Sequence, residues 1–539
     1  MDSAAILDPP RAHTAPPGPP QILPRRAISV LVCLALAAPI AIYLWIALHR
    51  VDYPFELDWM EGGSVELAGR VLAGHSLYAA PSIAYVGWTY PPLYYWIAAA
   101  VAKITGLGFL PLRLVSLAAS LVSMAILGWM VARETGSRIA GLVAAGLFAA
   151  TFRISGAWFD TGRVDSLFLA LTLLALAWGR WATGVRGGLA LGVLAFLAFF
   201  TKQTALLALV PVLLYLVLAR RRVGIPALLT LAALVLGSTL VLNASTGGWY
   251  DYYVFSELVH QPVAQPEWIK FWTHDILDEQ WPLVTVIVAG GALLASRALR
   301  AQAWRGDGRR SRATAMRAAV ASPALYYAIG AAGLIGSAWV SRLHTGGYLN
   351  VLMPAYAAIA LLAGLTYGAL DRRSRGWITP AVIALALLVQ LALLSYPVGA
   401  QIPTAADRAA GTQLIARLKA LPGPVIVLRH PWYATLAGKG TFAQEEAIGD
   451  VLRSASTRGS RPLRASLANA LNRDDVQAVV LDGTFDAHFL GAELARDFRL
   501  EPEPITAERL YPLTDVRTAP TLLYLRVRPA RARLRAHAP

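Results

Sequence analysis

Residues 204–243 read TALLALVPVLLYLVLARRRVGIPALLTLAALVLGSTLVLN: two apolar stretches, 204–219 and 224–243, separated by Arg220, Arg221 and Arg222. With its flanks, each stretch is long enough to cross a hydrocarbon core of roughly 30 Å as a helix, whose backbone satisfies its own hydrogen bonds where water is absent. The arginines between them have the place and composition of a short loop on the positively charged side of a membrane. The same alternation repeats in both directions. Further spans are expected at 28–48, 111–132, 139–155, 165–179, 188–201, 282–296, 321–340, 351–370 and 378–396, which makes about eleven.

Composition agrees. Of 539 residues 56% are hydrophobic and 15% charged, with a mean hydropathy of +0.51, well above a soluble domain with a polar surface. The formal charge of +16 sits largely in arginines of short loops between apolar segments, which argues against nucleic acid as a partner. The single cysteine, Cys33, lies inside the first apolar segment and precludes a disulfide within the chain. Residues 1–27, with PPRAHTAPPGPPQ, read as a disordered cytoplasmic tail before a retained first helix, and 528–539 as a basic flexible tail.

The stretch 93–104 is apolar but short, contains Lys103 and follows Pro91 and Pro92. If it does not cross, Arg133 and Arg138, Arg180 and Arg186, Arg220 to Arg222, Arg297 to Arg317, and Arg372 to Arg375 all share the cytoplasmic side with Arg25 and Arg26. It is therefore read as lying along the outer interface, where Tyr90, Tyr94, Tyr95 and Trp96 suit it. The outer side then receives the first loop, 49–110, the loops 159–165, 244–281 and 341–350, the turn at Lys202, and everything after residue 396. In 397–527, PVIVLR (424–429) and AVVLDG (478–483) read as strands, with helices around 405–420 and 442–455. The expected fold is thus a polytopic α-helical membrane protein, its membrane domain spanning 28–396, with a small extracytoplasmic α/β domain over 397–527.

The polar residues that this threading gathers on one side are the candidates for chemistry. YPFELDWMEGG (53–63) places Glu56, Asp58 and Glu61 within one short stretch, as general bases or, for Asp58 and Glu61, as the capping pattern of an amphipathic helix over 59–73. FDTGRVDSLFLALTLLAL (159–176) puts Asp165 at a span's start, with Arg163 near enough for a local ion pair. Lys202 in FFTKQTALLALVP is placed to meet a phosphate or carboxylate, or to snorkel, and Arg342 and His344 in SRLHTGGYLN add basic groups at that level, together suggesting an anion site. Glu257 and His260 in WYDYYVFSELVHQPV stand at i and i+3, able to bind a divalent metal or to form a surface hydrogen-bonded pair.

In their order these pieces resemble the membrane glycosyltransferases of the GT-C superfamily, in the branch of bacterial aminoarabinose transferase and the protein O-mannosyltransferases. ELDWMEG followed by ELAGRVLAGHSLY is similar to the family's acidic first-loop motif and interfacial helix. TYPPLYYW resembles its His-Pro-Pro-Leu element, with Tyr90 in place of the histidine, and GRVDSLFLAL resembles its second acidic site. TKQTALLALVPVLL, YVFSELVHQ and HTGGYLNVLMPAYA resemble later segments lining the donor cavity, so the likeness covers roughly residues 28–370.

The resemblance implies transfer of a hexosyl or pentosyl unit from a polyprenyl-phosphate donor to a glycan, lipid or protein acceptor, generally with inversion. Asp58 or Glu61 would be the catalytic carboxylate and Asp165 would support the site. Arg163, Lys202 and Arg342, with His344 beside them, would contact the donor phosphate, and Glu257 and His260 would be the metal candidates. The expected location is the bacterial inner membrane. Two other functions stay open at this point: a transporter or flippase of lipid-linked sugars, and a non-catalytic envelope assembly protein.

Overall fold

The structure, a computed structural model, describes residues 22–304, 322–374, 376–454, 456–472, 476–484, 490–514 and 516–527. The expected tail 1–27 gives way to helix already at Ile22, where α1 (Ile22–Arg50) begins. The rest of that tail, the arginines between 305 and 317, and the tail 528–539 lie outside the described residues.

Each expected span coincides with a helix. After α1 come α2 (Glu61–Leu72) and α3 (Leu93–Thr105) in the first loop, then α4 (Phe109–Thr135), α5 (Arg138–Ala150), α6 (Asp165–Trp181), α7 (Gly184–Thr201), α8 (Ala205–Ala219) and α9 (Arg221–Ser245). The series continues with α10 (Glu279–Trp304), α11 (Pro323–Arg342), α12 (Met353–Arg373) and α13 (Ile378–Leu393). Seven helices among the described residues are long and apolar enough to cross a membrane, or eight if Ile378–Leu393 and Val398–Ala420, bent by 59°, form one span. The helices α5, α6 and α8, of 13, 17 and 15 residues, are shorter than that.

The α5 helix stops at Ala150, short of the expected residue 155, because the chain turns through Gly156 (φ 72°) and Ala157 (φ 63°). That turn leads the chain toward Asp165. Small residues let the helices approach closely. A Cβ on Gly188 of α7 would lie 2.4 Å from the Val223 carbonyl oxygen of α9, and one on Gly192 would lie 2.6 Å from that of Ala227.

Ionic contacts sort the helix ends into two groups. At one end Arg25 pairs with Asp371 (2.9 Å) and Arg180 with Glu134 (2.9 Å), while the Arg220 guanidinium caps α6 by donating to the Gly179, Arg180 and Ala182 carbonyls. At the other end Arg50 meets Asp160, Arg113 meets Glu61, Lys202 meets Asp165 and Arg342 meets Asp275.

The chain after residue 397 forms α14 (Ala405–Ala420), β1 (Val425–Val427), α15 (Pro431–Leu436), α16 (Glu445–Arg453), α17 (Thr457–Asn472), β2 (Ala478–Leu481), α18 (Gly491–Asp497), β3 (Phe498–Leu500) and β4 (Leu522–Arg526). The sheet order is β1-β2-β4-β3, with β1 parallel to β2 in the register Ile426 to Val479 and the other pairs antiparallel. Both sequence-predicted strands are present, and β3 and β4 were not expected. The first loop docks onto this segment. Tyr53, Phe55 and Leu57 share a core with Leu414, Leu418, Val425 and Val427, and backbone hydrogen bonds join Leu513 to Leu57 (3.0 Å) and Ala443 to Ile83 (2.7 Å).

Candidate active site

Of the first-loop carboxylates, Glu61 is the most constrained. It opens α2 and is fully buried. Its Oε1 accepts from Arg113 Nε (2.9 Å) and the Gly162 amide (2.7 Å), and its Oε2 accepts from Arg113 Nη2 (2.6 Å) and the Leu57 amide (2.7 Å). Burial raises its pKa, but Arg113 and the two amides outweigh burial and hold it below the ordinary carboxylate value. With four donors engaged it ties α2, α4 and the turn at Gly162 together. The expected capping pattern appears only in part: Asp58 O accepts from the Glu61 amide (2.9 Å), and Asp58 Oδ2 accepts from Met60 N at 3.3 Å.

Asp58 is buried as well, its Oδ1 3.5 Å from the Thr514 hydroxyl. Together with Tyr90 and Asp165 it surrounds Arg163: burial opposes the guanidinium charge, and these three outweigh burial and hold it protonated. Arg163 is 3% exposed and lies 5.1 Å from the ring centroids of both Trp88 and Trp158. Its Nε and Nη1 are buried without a hydrogen-bond partner. The expected local pair of Arg163 with Asp165 is replaced by a longer-range one: Asp165 Oδ1 accepts from Lys202 Nζ at 2.7 Å. Lys202 stands between α7 and α8, where Gln203 donates to the Thr89 (2.6 Å) and Val254 (2.9 Å) carbonyls and so fixes that corner.

Arg163 and Lys202 open onto a cavity of about 130 Å³. Met60, Trp88, Tyr90, His344, Tyr348 and Asn350 contribute to its wall, which thus draws on the first loop, the turn before α6, the α7–α8 corner and the loop after α11. The His344 imidazole is held below its ordinary pKa by burial, so at pH 7 it is neutral, and its Nδ1 is buried without a partner.

Two of the roles expected from the sequence need correction. Arg342 is not on this wall. Asp275 (2.9 Å), Glu267 (3.4 Å) and the Gly347 carbonyl (2.5 Å) engage its guanidinium, which fixes the 343–348 loop instead. Glu257 and His260 do not converge on a metal. His260 is exposed with Nδ1 against the Ser256 carbonyl (2.6 Å), whereas Glu257 is buried near Asp450 and Arg453. Among the described residues no group of three or more His, Cys, Asp or Glu side chains is placed to hold a metal ion, so the residues do not fit one. Sequence reasoning also missed Trp88, Gln261, Glu446 and Asp450, which line the same cavity.

Comparison with known proteins adds a fold and a partial sequence match. The family model for dolichyl-phosphate-mannose-protein mannosyltransferase matches residues 89–242, the part that carries Tyr90, Arg163, Asp165 and Lys202. ArnT from Cupriavidus metallidurans bound to undecaprenyl phosphate is similar over 91% of this chain and 98% of its own, with a TM-score of 0.54 and 13% identity. Its apo form gives 0.53 and 14% over 91% and 97%. The archaeal oligosaccharyltransferase AglB from Archaeoglobus fulgidus, in complex with an inhibitory peptide and a dolichol-phosphate, gives 0.49 and 12% over 86% and 73%. No curated protein matches the chain. The chain shares the ArnT fold and resembles the GT-C superfamily glycosyltransferases.

Proposed function

We propose that this chain is a membrane glycosyltransferase that moves a hexosyl or pentosyl unit from a polyprenyl-phosphate donor to an extracytoplasmic glycan, lipid or protein acceptor, with inversion. The observation that carries the reading is Arg163: a buried guanidinium with two unpartnered donors on a residue that lines the cavity, beside the Lys202–Asp165 pair and near Asp58. A structure of the same fold is bound to undecaprenyl phosphate. The matched mannosyltransferase family is named for a dolichyl-phosphate sugar.

The chemistry follows from these groups. A lipid-linked donor brings its phosphate to headgroup level. Arg163 donates to the phosphate oxygens and Lys202 supplies a second positive charge, neutralising a leaving group that is already ionised. The acceptor hydroxyl gives its proton to Asp58, its oxygen forms the new bond to the anomeric carbon, and the bond from that carbon to the phosphate oxygen breaks, releasing polyprenyl phosphate. Glu61, with every lone pair engaged, is assigned to holding the loop rather than to proton transfer. The C-terminal α/β segment would sit on the extracytoplasmic side, with eleven helices crossing a bacterial inner membrane.

The test is sugar transfer by purified protein in lipid, using polyprenyl-phosphate hexoses and pentoses and mixed acceptors. Asp58→Asn should lose at least about a hundredfold in kcat, the usual scale of a positioned base, while still binding polyprenyl phosphate. Wild-type protein that binds and translocates lipid-linked sugars yet transfers none would replace this reading with a transporter.

A further inference from the structure

One stretch of the cavity wall comes from outside the membrane helices. Glu446 and Asp450 of α16 line it together with Gln261. Arg453 is the only cation paired with either carboxyl group among the described contacts, at 3.0 Å from Glu446 and 2.7 Å from Asp450, and buried Glu257 stands close to Asp450, so three carboxyl groups share one cation here. Gln261 is 8% exposed; its amide nitrogen donates to the Asp450 carbonyl (2.9 Å) and approaches Glu257 Oε1 (3.5 Å). That leaves Gln261 Oε1 buried without a hydrogen-bond partner, on a residue of the cavity wall. The wall thus offers acceptors: two carboxylates and one amide oxygen. A ligand that satisfies them must bring donors, and it must not bring a second anion.

Resting on the glycosyl-transfer reading, we infer that Gln261, Glu446 and Asp450 form a sugar subsite that takes a hydroxyl-rich sugar without acidic substituents. Such a sugar belongs to the donor or to a glycan acceptor. Its hydroxyl groups donate to the three acceptors, in the way that polar sites discriminate by leaving unpaired whatever a wrong ligand fails to satisfy. A uronic acid or phosphorylated sugar places its charge against the carboxyl groups of α16, whose one cation is already shared, and is rejected. The cavity then has an anion-binding part at Arg163 and Lys202 and an anion-excluding part at α16, which orients a phosphate-linked sugar with its phosphate toward Arg163.

The experiment uses full-length protein in nanodiscs and three probes: polyprenyl phosphate, its hexose ester and its hexuronate ester. Wild type should prefer the hexose over the hexuronate ester by at least about tenfold. The double variant Glu446→Gln with Asp450→Asn should abolish that preference, and Gln261→Leu should weaken the hexose ester alone; retained affinity for polyprenyl phosphate shows that each variant is folded. If donor preference is unchanged while the KM for a glycan acceptor rises and that for an acidic acceptor falls, the subsite belongs to the acceptor sugar. Folded variants that alter neither preference overturn the subsite and leave the glycosyl-transfer reading standing. Wild type that fails to bind polyprenyl phosphate overturns both.

Discussion

Among the buried and half-buried arginines of this molecule, Arg163 differs from Arg50, Arg113 and Arg342 in one respect. The other three direct their guanidinium groups at carboxylates and carbonyls of the protein itself, while Arg163 keeps two donors unpartnered. Hydrogen bonds to charged groups are worth about 1.5–3 kcal/mol, so Arg163→Ala should weaken polyprenyl phosphate binding by about 10- to 100-fold, read by competition in nanodiscs. Arg163→Lys should restore little, since a lysine lacks the planar fork that lies between Trp88 and Trp158. Arg113→Ala belongs to a different class. It leaves Glu61 charged and fully buried without its cation, and should cost about 3–5 kcal/mol of stability, seen as a lowered Tm and not as a change in KM. Asp58, Asp165, Arg163 and Lys202 were legible in the sequence because ionisable residues at the edges of apolar runs are conspicuous. That Glu61 is saturated, and that Asp165 pairs with Lys202 rather than with Arg163, was not legible, because both depend on partners that are distant in sequence.

At the scale of elements, the first loop and the C-terminal segment meet at a buried ionic junction. His430, which precedes α15, has Nδ1 against Glu56 and Nε2 2.9 Å from Asp482, with Thr518 donating to the same Asp482 oxygen, Tyr433 stacked on the imidazole and Arg429 nearby. Burial opposes the charge on His430, but Asp482 and Glu56 outweigh it and push its pKa up to about 10. Burial also raises Glu56. Both shifts mean that the folded junction binds more protons than the unfolded chain: the His430 contribution is fully present below the ordinary histidine value near 6.5 and is lost as pH rises toward about 10, while that of Glu56 is present below 4.5 and already lost as pH passes about 7. Asp482 is lowered by His430 despite its burial and acts oppositely, losing its contribution only in acid. The expected result is a Tm of the purified protein that falls between pH 7 and 10, and a His430→Gln variant that is less stable at pH 7 and nearly flat across the same interval. A wild-type Tm that does not change over that range would show that the junction does not hold the proton. The apolar helices were readable from composition alone, since a lipid-facing segment has to be apolar along its length. The short strands β3 and β4 were not, because FRL and LLYLR carry arginines at positions where alternation would mark a sheet.

For the whole molecule, the two groups of helix ends make a statement about orientation. Arg25, Arg180 and Arg220 engage partners at one end, and the candidate site, with α16 forming part of its wall, stands at the other. In the proposed orientation the positive-inside bias gives the first end to the cytoplasm, and the cavity and the sheet of residues 425–526 lie outside. Two exposed positions report on this, Arg186 near the start of α7 and Glu503 after β3. With Cys33 replaced by serine, Arg186→Cys and Glu503→Cys each carry one thiol. A membrane-impermeant maleimide applied to intact, outer-membrane-permeabilised cells should label Glu503→Cys at once and Arg186→Cys only after the inner membrane is opened. The reverse pattern would place the cavity in the cytoplasm and require a donor facing that side. Labelling of both from outside would mean that the helices between them cross an odd number of times less than the threading requires, which would return the question to α8 and α13, the two shortest of those helices at 15 and 16 residues.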